Sequence, residues 1–213
     1  MRSKATARVS EFVDRARMAT RRRWAPEAAC ADEHWLRQRL NESIEEKIGS
    51  LDCANLTAVE ISGTAQSRHQ WKRFEALEYP AFDLCEPSPQ PDQFDVVICE
   101  QVLEHVLDPC RAVKTLYDLT SPGGLVIVST PFMVRVHELA LYGLRDYWRF
   151  TPRGLGVLLE NGGFEVQSVQ SWGNRDCVAA NLDHWAKYKR WHSLRNEPEI
   201  PLQVWAFARK PSN

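Results

Sequence analysis

Apolar residues near the start of the chain recur with helical spacing. Val9, Phe12, Val13 and Ala16 fall at i, i+3, i+4 and i+7, Pro26 interrupts, and Trp35, Leu36, Leu40, Ile44 and Ile48 resume the period. This pattern predicts two helices between Ala5 and about Gly49, ahead of the main fold. From Leu56 the character changes: LTAVEIS, FDVVIC (94–99) and LVIVST (125–130) are short β-branched runs flanked by polar turns. Runs without alternation read as strands covered on both faces, as in a parallel sheet. The segments between them read as helices. In one, Asp108 is placed to cap, Pro109 suits the first helical position, Val113, Leu116 and Tyr117 face inward, and SPGG (121–124) stops the helix. Thr151 and Pro152 open another, with Leu155, Leu158 and Leu159 on one face and Gly162 and Gly163 at its end, before the strand-like FEVQSV. PLQVWAFA (201–208) completes the set as a final strand, and the prolines of CEPSPQPDQ (85–93) exclude a helix there.

At 213 residues and 24.5 kDa the chain is the size of one α/β domain with extensions. The pattern divides it into a helical extension or lid, 1–52, and a main domain, 53–213. Hydrophobic content of 44% and charged content of 26% are globular values, which exclude a disordered or fibrous chain. No apolar run approaches the roughly 18 residues of a membrane span, and MRSKATARVSEF lacks the apolar core of a secretory signal, so a cytoplasmic protein without a membrane partner is expected. Cysteines 30, 53, 85, 99, 110 and 177 form no CxxC pair and read as reduced thiols. The net charge of −1 conceals a basic arm: residues 1–23 hold eight Lys/Arg against two Asp/Glu. With no aromatics interleaved to stack bases, this arm reads as a solvated helix face and not as a nucleic-acid contact.

Such a sheet binds ligands at the carboxyl ends of its strands. After the first strand stand Glu60, Ser62, Gly63 and Thr64, with one glycine where a dinucleotide fingerprint has three, and no tyrosine has a lysine four residues on. Both features argue against a nicotinamide enzyme. Instead acids recur near strand ends: Glu60, Glu78, Asp83 and Glu100. Carboxylates there repel phosphates but suit ribose hydroxyls, an adenine amino group and a cationic ligand.

FDVVICEQVLEHVLDP, followed by a helix and SPGGLVIVSTPF, resembles the central block of the class I methyltransferases that use S-adenosylmethionine. HELALYGLRDYWRFTPRGLGVLLENGGFEV resembles a bacterial subgroup that includes sugar and glycan O-methyltransferases. The likeness covers residues 56–170. It implies a doubly wound, mostly parallel, seven-stranded Rossmann-like α/β fold with N-terminal helices. It also implies a cofactor site: Glu60, Ser62 and Gly63 at the glycine loop, Glu78 on the ribose diol, Asp83 near the adenine amino group, and Glu100 and Gln101 toward the methionine end. EISGTA departs from the family loop, lacking its first and third glycines.

The residues after the FDVVIC strand, Cys99 to Val102, are not the Asn/Asp-Pro-Pro-aromatic tetrapeptide of base-amine methylating enzymes, so a hydroxyl acceptor is expected. An alcohol needs a base, a metal or both. His137, seven residues beyond LVIVST, is the candidate base. Glu104 and His105 match part of the divalent-ion site of certain metal-dependent O-methyltransferases, with His137 a candidate further ligand and Gln101 standing where those enzymes carry an acid, which makes Mg²⁺ a second candidate cofactor. Otherwise His105 shapes the turn. Tyr142, Arg145, Asp146, Tyr147, Trp148 and Arg149 combine flat apolar faces with charged groups, which suits a hydroxyl-rich substrate, while Phe150 reads as core. The expected reaction is O-methylation of a sugar or glycoside hydroxyl, on a small molecule or oligosaccharide, by a chain for which a homodimer is compatible. A phenol or quinol acceptor, and a non-catalytic S-adenosylmethionine-binding protein, are the alternatives.

Overall fold

The computed structural model describes residues 34–87, 93–138 and 143–212. The helix expected from Ala5, the basic arm, Cys30 and Tyr142 lie outside them. Strands β1 (Thr57–Ile61), β2 (Arg73–Leu77), β3 (Phe94–Glu100), β4 (Thr120–Pro131), β5 (Glu165–Trp172) and β6 (Gln203–Arg209) form one sheet in the order β2-β1-β3-β4-β6-β5. The first four are parallel, and β6 runs antiparallel between β4 and β5.

The doubly wound class is the one expected, but six strands, not seven, occur among the described residues. Only residues 78–93 separate β2 from β3. A further parallel strand beyond β2 would need a crossover of about a dozen residues or more on each side.

Both faces of β3 and β4 are covered, which explains their unbroken apolar runs. Val97, Cys99, Val126 and Val128 meet one core with Leu116 and Leu159, whereas Val96, Ile98, Leu125 and Ile127 meet a second with Leu40, Ile44 and Ile48. The first core is roofed by helices α2 (Pro109–Leu119) and α3 (Pro152–Asn161), and the second by α1 (Gln38–Gly49) and the Trp-rich segment after β5. Phe150 packs against the first core, as its sequence position suggests. The predicted caps form: the Asp108 carboxylate accepts from Cys110 N and Arg111 N, and Thr151 Oγ1 accepts from Gly154 N. Gly163, at φ +97°, turns the chain out of α3 in a conformation that disfavours a side chain.

The β1–β2 connection departs from the expected helix. It holds only a 3₁₀ turn, Ala65–Arg68, followed by a bend at which Trp71 Nε1 donates to the Gln66 carbonyl. Cys53, Cys85, Cys99, Cys110 and Cys177 are free thiols, and of these Cys110 is exposed, Cys53 is partly buried and the rest are buried.

Candidate active site

The loops that follow β1, β2 and β3 enclose a cavity of about 380 Å³ at the carboxyl edge of the sheet, with Ser62, Glu78, Asp83, Gln101, His105 and Tyr147 on its wall. Ser62 and Gln101, at the ends of adjacent strands, take φ of 55° and 56°. Left-handed backbone at non-glycine residues costs energy, and such strain concentrates at functional sites. Gln101 is held there by its amide, whose Nε2 donates to Ser129 Oγ at 3.1 Å and to Gln203 Oε1 at 2.8 Å.

Four of the seven expected cofactor residues therefore meet the cavity, and Glu60, Gly63 and Glu100 are not on its wall. Glu60 is buried, and its carboxylate accepts from Ala65 N at 3.1 Å and Gln66 N at 2.8 Å. Burial raises its pKa, and those hydrogen bonds oppose the rise. Gly63 permits this arrangement, since a Cβ there would sit 2.6 Å from Glu60 Oε1. Glu100 is paired with Arg37 at 2.6 Å and accepts from Gln66 Nε2 at 2.9 Å. These groups brace the loop after β1 and tie α1's leading turn to the end of β3. Phe82, Val102 and Leu107 add an apolar wall that sequence reasoning missed, although the Tyr-Pro-Ala-Phe run between Glu78 and Asp83 was a usable signal.

On the acceptor side, His137 is half-buried beside His105, the two rings perpendicular with centroids 5.1 Å apart. Its Nδ1 lies 3.1 Å from Asp146 Oδ2, and its backbone N donates to the same oxygen at 2.8 Å. Burial lowers the His137 pKa while Asp146 opposes that shift. Asp146, expected to touch substrate, has no exposed side-chain surface and is gripped by both guanidinium nitrogens of Arg149. Tyr147 and Trp148 remain exposed, with Trp148 Nε1 anchored to the Val106 carbonyl at 2.9 Å. Trp185, remote in sequence, meets the His137 ring edge-on at 5.3 Å.

Glu104 is fully buried, and neither carboxylate oxygen has a hydrogen-bond partner. Burial pushes its pKa up to about 8. Donor atoms of Glu104, His105 and His137 lie within 4.8 Å of one another. His105 Nδ1 is engaged by the Arg145 carbonyl at 2.7 Å, which leaves Nε2 toward Glu104. A partnerless buried carboxylate beside two imidazoles fits a divalent ion. The donor set suits a borderline transition ion better than Mg²⁺, which favours oxygen ligands.

A family model described as a methyltransferase domain matches residues 9–169. The ubiquinone biosynthesis O-methyltransferase of Pseudomonas putida (strain F1) is 40% identical over 92 residues, a segment spanning 37% of this chain and 40% of that protein's length. Among solved structures, an S-adenosylmethionine-dependent methyltransferase from Mesorhizobium loti aligns with a TM-score of 0.51 at 15% identity, covering 79% of this chain and 97% of that one. The N-methyltransferase NodS from Bradyrhizobium japonicum WM9, in complex with S-adenosyl-L-homocysteine, aligns with a TM-score of 0.53 at 13% identity, covering 84% and 90%. The acid-lined cavity at the strand ends is thus in keeping with the family match: this chain belongs to the methyltransferase-domain family.

Proposed function

We propose that the protein methylates the hydroxyl of a phenol or quinol, with S-adenosylmethionine as donor and His137 as proton acceptor. The observation that carries this reading is the pairing of the acid-lined cavity with an exposed aromatic and apolar rim, Tyr79, Leu107 and Tyr147, and with a half-buried imidazole, His137, packed against the cavity-lining His105. A flat, apolar acceptor matches that rim, and the curated relatives named for ubiquinone biosynthesis support it over a sugar hydroxyl. In the reaction the acceptor oxygen attacks the sulfonium methyl in line, S-adenosylhomocysteine departs, and the hydroxyl proton passes to His137. Incubation with S-adenosylmethionine and a panel of catechols, hydroquinones and glycosides tests this. Mass gain by one methyl on the phenolic compounds is expected, and gain on the glycosides alone would return the acceptor to the carbohydrate class.

Glu78 is assigned to the ribose hydroxyls of the donor. Glu78→Ala removes a charge-assisted contact and should weaken cofactor binding by about 30-fold, roughly 2 kcal/mol, by calorimetric titration. An unchanged dissociation constant would reject the assignment.

The partnerless Glu104 carboxylate favours a second reading, in which Glu104, His105 and His137 hold a divalent ion. Bound there, the ion would lower the pKa of the acceptor hydroxyl. Full turnover in excess chelator is the result expected for a metal-free reaction. Loss of turnover, restored by Mn²⁺ or Zn²⁺ more readily than by Mg²⁺, would establish the ion.

A further inference from the structure

We propose that Arg37 is a positioning residue for the donor site: through Glu100 and Gln66 it holds the loop after β1 and the end of β3 in the strained backbone that lines the cavity. The inference rests on the reading of that cavity as the site of S-adenosylmethionine.

Arg37 closes the 3₁₀ turn Trp35–Arg37 that leads into α1. Its Nη2 pairs with Glu100 Oε2 at 2.6 Å, and its Nε donates to Asn41 Oδ1 at 3.3 Å. The other Glu100 oxygen, Oε1, accepts from Gln66 Nε2 at 2.9 Å. Gln66 is buried and its Oε1 has no partner among the described residues, so Glu100 is the side-chain anchor of this glutamine. The Gln66 backbone N, with Ala65 N, in turn donates to Glu60, at 2.8 and 3.1 Å. Arg37 thus heads a chain of bonds that runs from the turn before α1, through the end of β3, to the end of β1.

Both strand ends carry left-handed backbone next to this chain. Gln101 follows Glu100 directly and Ser62 stands two residues after Glu60, with φ of 56° and 55°, and both residues line the cavity. Glycine takes this conformation freely, whereas a residue with a Cβ keeps it only where its surroundings over-determine it. Arg37 supplies charge that these surroundings need. Glu100 has only 9% of its side chain exposed and Glu60 is buried; Glu100 acts to raise the Glu60 pKa, and Arg37 acts against that rise. Removing one member of a buried ion pair leaves a charge without compensation, which costs more than removing both. Without Arg37, the Glu100 carboxylate turns toward water and releases Gln66, and the loop that carries Ser62 loses its brace.

Calorimetric titration with S-adenosylhomocysteine reads the effect. Arg37→Met should weaken binding by at least about tenfold. Arg37→Lys should stay within about threefold of the parent, because a single Nη2 contact is one that an ammonium can reproduce. Arg37→Met combined with Glu100→Gln removes both charges, while the amide oxygen at position 100 still accepts from Gln66. Binding should then recover toward the parental value, which is the signature of a coupled pair and not of lost packing. Arg39→Met breaks the exposed Arg39–Glu42 pair on the same helix and, as the control, should leave binding unchanged.

Parental affinity in Arg37→Met overturns the inference. So does a double variant as weak as the single one, since that result assigns Arg37 to packing alone. The parent also supplies a test that needs no folded variant. If the Arg37–Glu100 pair favours the cofactor, the cofactor must favour the pair, so saturating S-adenosylhomocysteine should slow amide hydrogen exchange over residues 37–41. Exchange there that is indifferent to bound ligand overturns the inference as well. A parent that binds neither S-adenosylmethionine nor S-adenosylhomocysteine removes the donor-site reading and this inference with it, whereas equal binding by parent and Arg37→Met removes the inference alone.

Discussion

His137→Ala is expected to lower turnover by about 10² to 10⁴-fold, the usual loss when a general base is removed, with cofactor affinity almost unchanged. The residues proposed for the cofactor, Ser62, Glu78, Asp83 and Gln101, are on the cavity wall, whereas His137 stands on the loop after β4, beside Asp146. Removing the imidazole therefore acts on proton transfer and leaves the donor's site intact. In the parent, rate should fall as acid protonates His137. Because burial holds this residue below its ordinary value, that limb should lie below about pH 6.5. The mutant should lack the limb. A mutant that keeps more than about a third of the parental rate, or the same acid limb, excludes His137 as the base.

The second large effect concerns stability. In chelator-treated protein, unfolding free energy should decline as pH rises from about 4.5 toward 8, by an amount on the order of 5 kcal/mol. Unfolded, the Glu104 carboxyl ionises near 4.5; folded, burial retains its proton up to about pH 8. Across that window the folded chain holds a proton that the unfolded chain has released. The folded state is thus favoured fully only below the lower value and loses ground as pH rises. Glu104→Gln cannot ionise, so its urea-unfolding curves should vary much less between pH 5 and 8.5. Parallel pH dependences in parent and mutant would remove Glu104 as the cause. A divalent ion at this site would reverse the trend, with stabilisation by Mn²⁺ or Zn²⁺ growing as the ligands deprotonate.

Much of the fold is legible along the chain because its signals are local. Apolar runs such as VVIC and VIV mark strands buried on both faces, and Asp108-Pro109 and Thr151-Pro152 mark helix starts through bonds spanning two or three residues. The acids at strand ends are local too, since a strand's carboxyl end follows from where its apolar run stops. Their roles are not. Glu78 and Asp83 face the cavity, while Glu60 turns onto the next loop's backbone and Glu100 onto Arg37, a partner 63 residues away. All four are carboxylates near strand ends, and only the packing of neighbouring loops separates cavity lining from internal brace.

The same holds for Asp146, which reads along the sequence as one polar residue among aromatics. In the folded chain its carboxylate is sealed between Arg149 and His137. The Glu104–His105–His137 cluster and the approach of Trp185 likewise need two loops to meet. The sequence by itself determined the strands buried on both faces, the helix caps and the strand ends at which acids gather, because side-chain periodicity and capping act over a few residues. Tertiary structure alone decided the strand count, which acids face the cavity and which nitrogen of His137 faces Asp146, because these depend on contacts between segments that sequence spacing does not encode.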